Sequence, residues 1–234
     1  MAFADQPPTM EDSRSTMNTQ ARVSKILNAL AHSEEDLLAL SDDIWINIDH
    51  NDSDALDAGI AFKKKYNHAM LAFTQAADQL RELIRQSEPE SLVSVPIFED
   101  TDRVVRSLDT AVQHRLDEDF RYKRPIAFVF ENKTYEGLAT WKDIYITFLQ
   151  LMESLQPDFH QIVDSEDVIS ARNNSYITED ETLLRSAAQI TPTIFAEVNL
   201  SANGIRDMII RVLVYFGYRL DTMGIFLRED RDAE

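Results

Sequence analysis

The chain has 234 residues, of which 44% are hydrophobic, and its formal net charge is −18 at pH 7. This length allows one large domain or two modest ones. Because there is no cysteine, disulfides, thiolate catalysis and cysteine-based zinc sites are excluded. The acidic balance disfavours a nucleic-acid partner unless basic residues gather on one face. We expect no membrane span, and we predict a cytoplasmic protein.

Residues 1–18 are polar and contain prolines, and we expect them to be disordered. Residues 19–86 show helical periodicity in two series with alternating spacings of four and three. Glu34 and Ser41 interrupt the first series, which consists of Val23, Leu27, Leu30, Leu37, Ile44 and Ile48. The second is uninterrupted and consists of Phe62, Tyr66, Ala69, Phe73, Ala76, Leu80 and Leu83. The pattern predicts a long antiparallel helical hairpin with heptad seams.

The turn of this hairpin has oxygen-bearing side chains at Asp49, Asn51 and Ser53, as a calcium loop would. An EF-hand needs glycine and glutamate where Asp54 and Ile60 stand. We therefore predict a helix cap from one of residues 51–53 and no metal.

Residues 87–120 are predicted to form a linker with a short amphipathic helix over Thr101–His114. Residues 121–234 predict a small domain with the order β-β-α-β-β-α-β, and so an α+β protein that is mainly helical. Its elements are expected at Ile126–Phe130, Thr134–Glu136, Trp141–Leu155 after a Thr140 cap, a weak hairpin within Val168–Ile177, Ile194–Leu200, Gly204–Phe216 and Gly224–Leu227.

Five segments, "FKKKYN", "LDEDFRYKRP", "TWKDIY", "AEVNLSANGIRD" and "FLRED", resemble an uncharacterised family of bacterial proteins. Members of that family pair an N-terminal helical hairpin with a small C-terminal α+β domain. The resemblance implies this domain order and a bacterial cytoplasmic setting. It implies no catalytic residues.

The segment "NLSANG", residues 199–204, joins an expected strand to an expected helix, as in many phosphate-binding sites. Arg206 and Arg211 would attract an anion there, but Asp207 would repel it. We prefer the simpler interpretation, in which Ser201 or Asn203 caps the helix.

Glu197 and Asn199 share one face of the expected strand, and apolar residues occupy the other. We expect both to face solvent and, with Arg206 beside them, to contact a partner or an anion.

The densest basic run is Arg121-Tyr122-Lys123-Arg124, and Lys142 is expected nearby. Basic residues interleaved with an aromatic suit single-stranded nucleic acid. The acidic residues just before the run, 117–119, favour internal ion pairs instead, so nucleic acid is disfavoured although not excluded.

The sequence predicts no catalytic residue, metal or cofactor. The five histidines lack metal-ligand spacing, and neither a P-loop nor a Gly-x-Ser-x-Gly elbow is present. The nearest nuclease-like pattern is Asp158 followed by Glu197-x-Asn199, but such a metal-dependent nuclease needs lysine at position 199.

We therefore predict a non-enzymatic interaction protein. A second apolar stripe on the hairpin is formed by Leu38, Trp45, Ile46, Met70 and Leu71 and needs cover. Either the C-terminal domain or a second copy of the chain would supply it, most simply in a homodimer. The C-terminal domain would recognise a protein partner. The alternatives are a nucleic-acid-binding accessory protein of a mobile-element or defence system, and a metal-dependent nuclease-like enzyme.

Overall fold

The computed structural model describes residues 10–87, 112–165 and 175–228. Helix α1 spans Met10–Ile46 and helix α2 spans Ser53–Ser87. They pack side by side, and the Tyr66 hydroxyl of α2 donates to the Leu37 carbonyl of α1 at 2.8 Å. Because α1 begins at Met10, the part of the predicted disordered lead-in from that residue onward is helical.

The turn between the helices is closed by a cap from Asp52. Its carboxylate accepts from the amides of Asp54 and Ala55 at 2.9 and 3.2 Å. Gly59 lies so close to Ile48 that an added Cβ would come within 2.6 Å of that side chain. The close approach accounts for glycine inside a helix, where it is otherwise unfavourable.

The predicted seam of α2 is wrong. The helix is rotated about its own axis, so that a different stripe of its side chains faces α1. Phe62, Leu80 and Leu83 are 54%, 47% and 61% exposed, and the alanines of the same series are exposed as well. The more buried positions lie on the neighbouring stripe of the helix: Leu56, Ile60, Lys63, Met70, Thr74, Ala77, Arg81 and Ile84.

The rotation has a physical cause in the two polar residues that interrupt the α1 seam. Arg81 donates to Glu34 at 2.5 Å, and Lys63 donates to the Ser41 hydroxyl at 2.5 Å. If apolar residues of α2 faced α1 in place of Arg81 and Lys63, Glu34 would be half-buried without a cation.

The second part of the chain contains two small antiparallel sheets. The strands are β1 Gln113–Arg115, β2 Pro125–Phe130, β3 Lys133–Glu136, β4 Ile177–Thr178, β5 Ala187–Gln189, β6 Phe195–Glu197 and β7 Met223–Leu227. Their orders are β1-β7-β2-β3 and β4-β6-β5. Helix α3 spans Trp141–Leu155, and helix α4 spans Ala202–Tyr215.

The mixed α+β class is confirmed, but the detailed strand order differs from the prediction. Residues 113 and 114, expected at the end of a helix, lie in β1, which pairs with β7. The sheet therefore begins before the expected domain boundary at 121. Strand β5 was not predicted. The remainder of the expected helix, 101–111, and the turn of the expected hairpin, residues 173–174, lie outside the described residues.

Helix α3 begins as predicted. The Thr140 side chain accepts from the Asp143 amide, and the Asp143 side chain accepts from the Thr140 amide, which completes a capping box. The buried stripe of α3 packs in the core with β2, β6 and α4, where the largest fully buried side chains include Trp141, Tyr145, Phe120, Phe128, Phe130 and Phe148.

Helix α1 has two packed faces. Its seam residues, such as Leu37 and Ser41, face α2, and Ala39 lies on the opposite side of the helix by the 3.6-residue period. Ala39 is nevertheless only 1% exposed. The α+β domain covers this second face, on which hydrogen bonds from α1 reach the start of α3 and of α4.

Candidate functional site

The second face of α1 carries a row of polar side chains. His32, Glu35, Asp36, Asp42 and Asp43 follow one another at helical spacings and lie around Ala39. Every one of them makes a hydrogen bond or ion pair to the α+β domain. We call these five residues the polar face of α1.

Arg121 is held between two carboxylates. It pairs with Asp119 of its own loop at 2.6 Å and with Asp43 of α1. The Tyr122 hydroxyl donates to the same Asp43 carboxylate at 2.7 Å. The hydrogen bond from Tyr122, with Arg121 beside it, lowers the pKa of Asp43 below its usual value, and the bond raises the pKa of Tyr122 to about 12.

Arg124 occupies the other end of the contact. It donates to Asp36 at 2.5 Å, and its second terminal nitrogen lies 3.7 Å from Glu35. Both arginines of the basic run are therefore paired with acidic residues. The predicted ion pairs exist, but α1 supplies most of the carboxylates.

Glu35 is the most buried acidic group of the polar face, at 9% exposure. One carboxyl oxygen accepts from the Trp141 amide at 2.5 Å, the first amide of α3, which has no partner within its own helix. The other oxygen has no hydrogen-bond partner among residues 10–87, 112–165 and 175–228. Burial raises the pKa of Glu35 to about 8, since Arg124 is already bonded to Asp36 and compensates the charge only in part.

The segment "NLSANG" starts α4 and also connects three parts of the fold. The Ser201 hydroxyl accepts from the Gly204 amide at 3.2 Å, so it is the predicted cap, and it donates to Asp42 of α1 at 2.5 Å. Asn203 does not cap the helix. It accepts from the Phe120 amide and donates to Asp119, both at 2.9 Å.

Arg206 is not beside a free strand face. It donates to the carbonyl of Glu118 at 2.6 Å and to Asp207 at 2.7 Å. Its guanidinium therefore links α4 to the same 117–121 loop that Asn203 reaches. The earlier expectation of an available ligand contact is not supported by this geometry.

The expected exposure of Glu197 is wrong, because the side chain is only 3% exposed. Its carboxyl group accepts from the amides of Arg185, Ser186 and Asn199 at 2.7, 3.2 and 2.8 Å. Strand β6 is the middle strand of its sheet, and both Ala196 and Val198 are buried too. Alternation therefore cannot identify a solvent face here.

The other candidate residues are more accessible. Asn199 is half-buried and Lys142 is exposed, whereas Lys123 is half-buried and lies 5.9 Å from the centre of the Phe120 ring. Within the described ranges, no group of three His, Asp or Glu residues has the arrangement that a metal ion needs. Asp158 lies in the turn that precedes a short helical segment, Phe159–Asp164.

Sequence reasoning missed the polar face of α1. A signal was present, since Glu35-Asp36 and Asp42-Asp43 are acidic pairs one heptad apart on the side away from the apolar seam. Acidic pairs on a helix usually face solvent, so this pattern by itself does not predict a contact with another domain.

No helix in the described part of the chain is both long and apolar enough to cross a membrane. Comparison with family models, with curated proteins and with solved structures gives no match to this chain. The resemblance to a bacterial hairpin-containing family therefore stays a prediction based on the quoted segments alone.

Proposed function

We propose that the protein is a non-enzymatic interaction protein that self-associates through its hairpin and uses the α+β domain to recognise a protein partner. The observation that carries the proposal is the exposed apolar stripe of α2. It consists of Phe62, Ala69, Ala76, Leu80 and Leu83, with the half-buried Tyr66 and Phe73 between them.

This stripe has the spacing of a coiled-coil seam, but no helix from the described part of the chain packs on it. Seven positions alternate by four and three residues over six turns of helix. Fully burying a large apolar side chain stabilises by roughly 1.5–3 kcal/mol. A second helix with the same spacing would therefore gain substantially by packing there.

A second copy of the chain suits the charge pattern of α2. The molecule has a net charge of −18, so two copies repel each other over most of their surface. Residues 66–77, at the middle of the stripe, contain no Asp, Glu, Lys or Arg. Two α2 helices that meet at this uncharged centre avoid that repulsion, and Ala69 and Ala76 allow close approach.

The proposed dimer surface differs from the one predicted from the sequence. Met70 is buried, and Leu38 and Leu71 are half-buried within the monomer, so only Trp45 and Ile46 of the earlier stripe are exposed. The surface that we propose for self-association is therefore the exposed stripe of α2 from Phe62 to Leu83.

The absence of catalysis is likewise a proposal. Its support is the environment of Glu197, the residue on which the nuclease-like alternative depends. The carboxyl group accepts three amide hydrogens of its own sheet and its connections, which is a sufficient structural role. The pairing of Arg121 and Arg124 with acids likewise favours a protein-interaction role over constitutive nucleic-acid binding.

Sedimentation velocity of the full chain at tens of micromolar tests self-association. We expect a dimer for the wild type and a monomer for the Leu80→Lys/Leu83→Lys variant. Leu183→Lys is the matched control, because Leu183 is 65% exposed and lies in the α+β domain. A wild-type monomer, or equal dissociation by the control, would overturn the proposal.

A further inference from the structure

The contact between α1 and the α+β domain is chemically one-sided. The carboxyl groups of Glu35, Asp36, Asp42 and Asp43 all belong to α1. Their partners on the domain are all donors: two guanidinium groups, a phenol, the first amide of α3 and the hydroxyl that caps α4. Among the described contacts between α1 and the domain, there is one in which the domain contributes an acceptor: the Ala139 carbonyl lies 3.2 Å from His32 Nε2.

The donors on the domain are of the kinds that bind anionic groups. Arginine side chains and free amides at a helix start are the groups that proteins use for phosphate. Arg121 and Arg124 pair with two carboxylates of α1 that are seven residues apart, which is about 10 Å along the helix axis. The helix thus presents a spaced series of negative charges to the domain.

We propose that the donor surface formed by Arg121, Tyr122, Arg124, the Trp141 amide and the Ser201 hydroxyl binds single-stranded nucleic acid, and that the α1 carboxylates compete with it for this surface. With α1 in place, the surface is closed. When α1 moves away, the phosphates of the strand replace the carboxylates. The inference does not depend on self-association through α2.

Aromatic groups favour a nucleic acid over an acidic polypeptide. Tyr122 is 45% exposed even with α1 in place, and its left-handed backbone, φ 59°, turns the run at this point. Lys123 lies over the Phe120 ring beside it. Phe120 itself is fully buried, so Tyr122 is the ring on which an unpaired base can stack, and this stacking has no equivalent for Asp or Glu.

The contact between α1 and the α+β domain also has features that would allow α1 to move away. Among the described residues, Glu35 and Asp36 each retain a buried carboxyl oxygen without a hydrogen-bond partner, so the closed state leaves polar groups unsatisfied. The hydrogen bonds and ion pairs surround the single small apolar side chain of Ala39, whereas the α+β domain has a large apolar core that contains no residue of α1. This core therefore does not depend on α1.

The test uses full-length variants and the fluorescence anisotropy of a labelled oligo(dT) at low salt. Asp36→Asn/Asp43→Asn weakens the α1 contact and should bind at least roughly tenfold more tightly than the wild type. The matched control is Asp54→Asn/Asp57→Asn, which removes the same charge from exposed positions of the hairpin. Equal gains for both pairs would mean a general charge effect and would overturn the proposal.

Two further measurements identify the surface and the ligand. Adding Arg121→Gln/Arg124→Gln to the Asp36→Asn/Asp43→Asn variant should abolish the gain, and retention of the gain would place binding elsewhere. Polyglutamate of similar charge should bind at least tenfold more weakly than oligo(dT), and equal binding would identify the surface as one for acidic polypeptides. If circular dichroism shows that the double variant is unfolded, the two single variants replace it, and failure of both to gain affinity overturns the proposal.

Discussion

At the level of single residues, two buried glutamates, Glu197 and Glu35, differ in how completely their carboxyl groups are hydrogen-bonded. Glu197 is buried but satisfied, because it accepts from three amides. Glu35 is buried and half satisfied, because it accepts from one amide and its second oxygen accepts no hydrogen bond from the described residues. The second arrangement makes the fold sensitive to pH, since burial raises the pKa of Glu35 to about 8.

The sign of this pH effect follows from the proton count. The usual pKa of Glu is near 4.5, so between that value and 8 the folded chain holds a proton that the unfolded chain has lost. The contribution of Glu35 to stability is therefore complete below pH 4.5 and is lost as the pH rises through 8. His32, whose pKa burial lowers, acts in the opposite direction below its usual 6.5. Arg124, Asp36 and Asp143 also face Glu35.

We expect Glu35→Gln to remove this dependence. Between pH 7 and pH 9, the free energy of unfolding should fall for the wild type by roughly 1.4 kcal/mol in total, most of it below pH 8, and should stay nearly level for the variant. His32 is mostly neutral in both states over this range, so it does not obscure the comparison. Urea titrations at several pH values measure the effect, and parallel curves for the two proteins would contradict it.

At the level of elements, local signals predicted those parts of the fold that local chemistry determines. Thr140 and Asp143 identify the start of α3, and Asp52 and Ser201 cap their helices as expected. The orientation of α2 was not predictable from its own sequence, because it depends on Glu34 and Ser41 of another helix. Strand β1, Gln-His-Arg, has no apolar alternation at all, and its pairing with β7 alone makes it a strand.

The Arg81–Glu34 pair tests the account of the α2 rotation. Arg81→Met should destabilise the chain by roughly 1–3 kcal/mol, because Glu34 is then left half-buried without its cation. Adding Glu34→Leu should recover much of this loss, and the coupling in a double-mutant cycle should be about 0.5–3 kcal/mol. Lys64→Met, at an exposed position of α2, is the control and should change stability by less than about 0.5 kcal/mol. Simple additivity of the Arg81 and Glu34 variants would refute the pairing argument.

At the level of the whole molecule, α1 is the element that joins the two parts. One side of it packs on α2 and the other on the α+β domain. The sequence predicted each part, and left a contact between them as one alternative, but it did not identify the polar face of α1 as that contact. A domain interface made of charged residues has no periodic apolar signature. The same limitation explains why the predicted site residues separate in the structure: Arg121 and Arg124 contact α1, whereas Glu197 lies in its own sheet.

This arrangement predicts a partial opening that precedes global unfolding. The Trp141 amide is protected by Glu35 of α1, whereas the amides within α4 are protected by its own helical bonds. Weakening the ionic contact should therefore affect the first amide far more than the others. Hydrogen exchange with mass spectrometry on the full chain can compare the two regions in one experiment.

We expect peptides that cover the start of α3, near Trp141, to exchange faster in the Asp36→Asn/Asp43→Asn variant than in the wild type. Raising the salt concentration from about 0.1 M to about 1 M should have the same effect on the wild type, to a smaller extent because the pairs are partly buried. Peptides from the interior of α4, residues 205–213, should exchange at unchanged rates in both cases. Equal acceleration in the two regions would mean that α1 leaves the domain only when the domain itself unfolds, and that the surface of Arg121 and Arg124 is never open in the native protein.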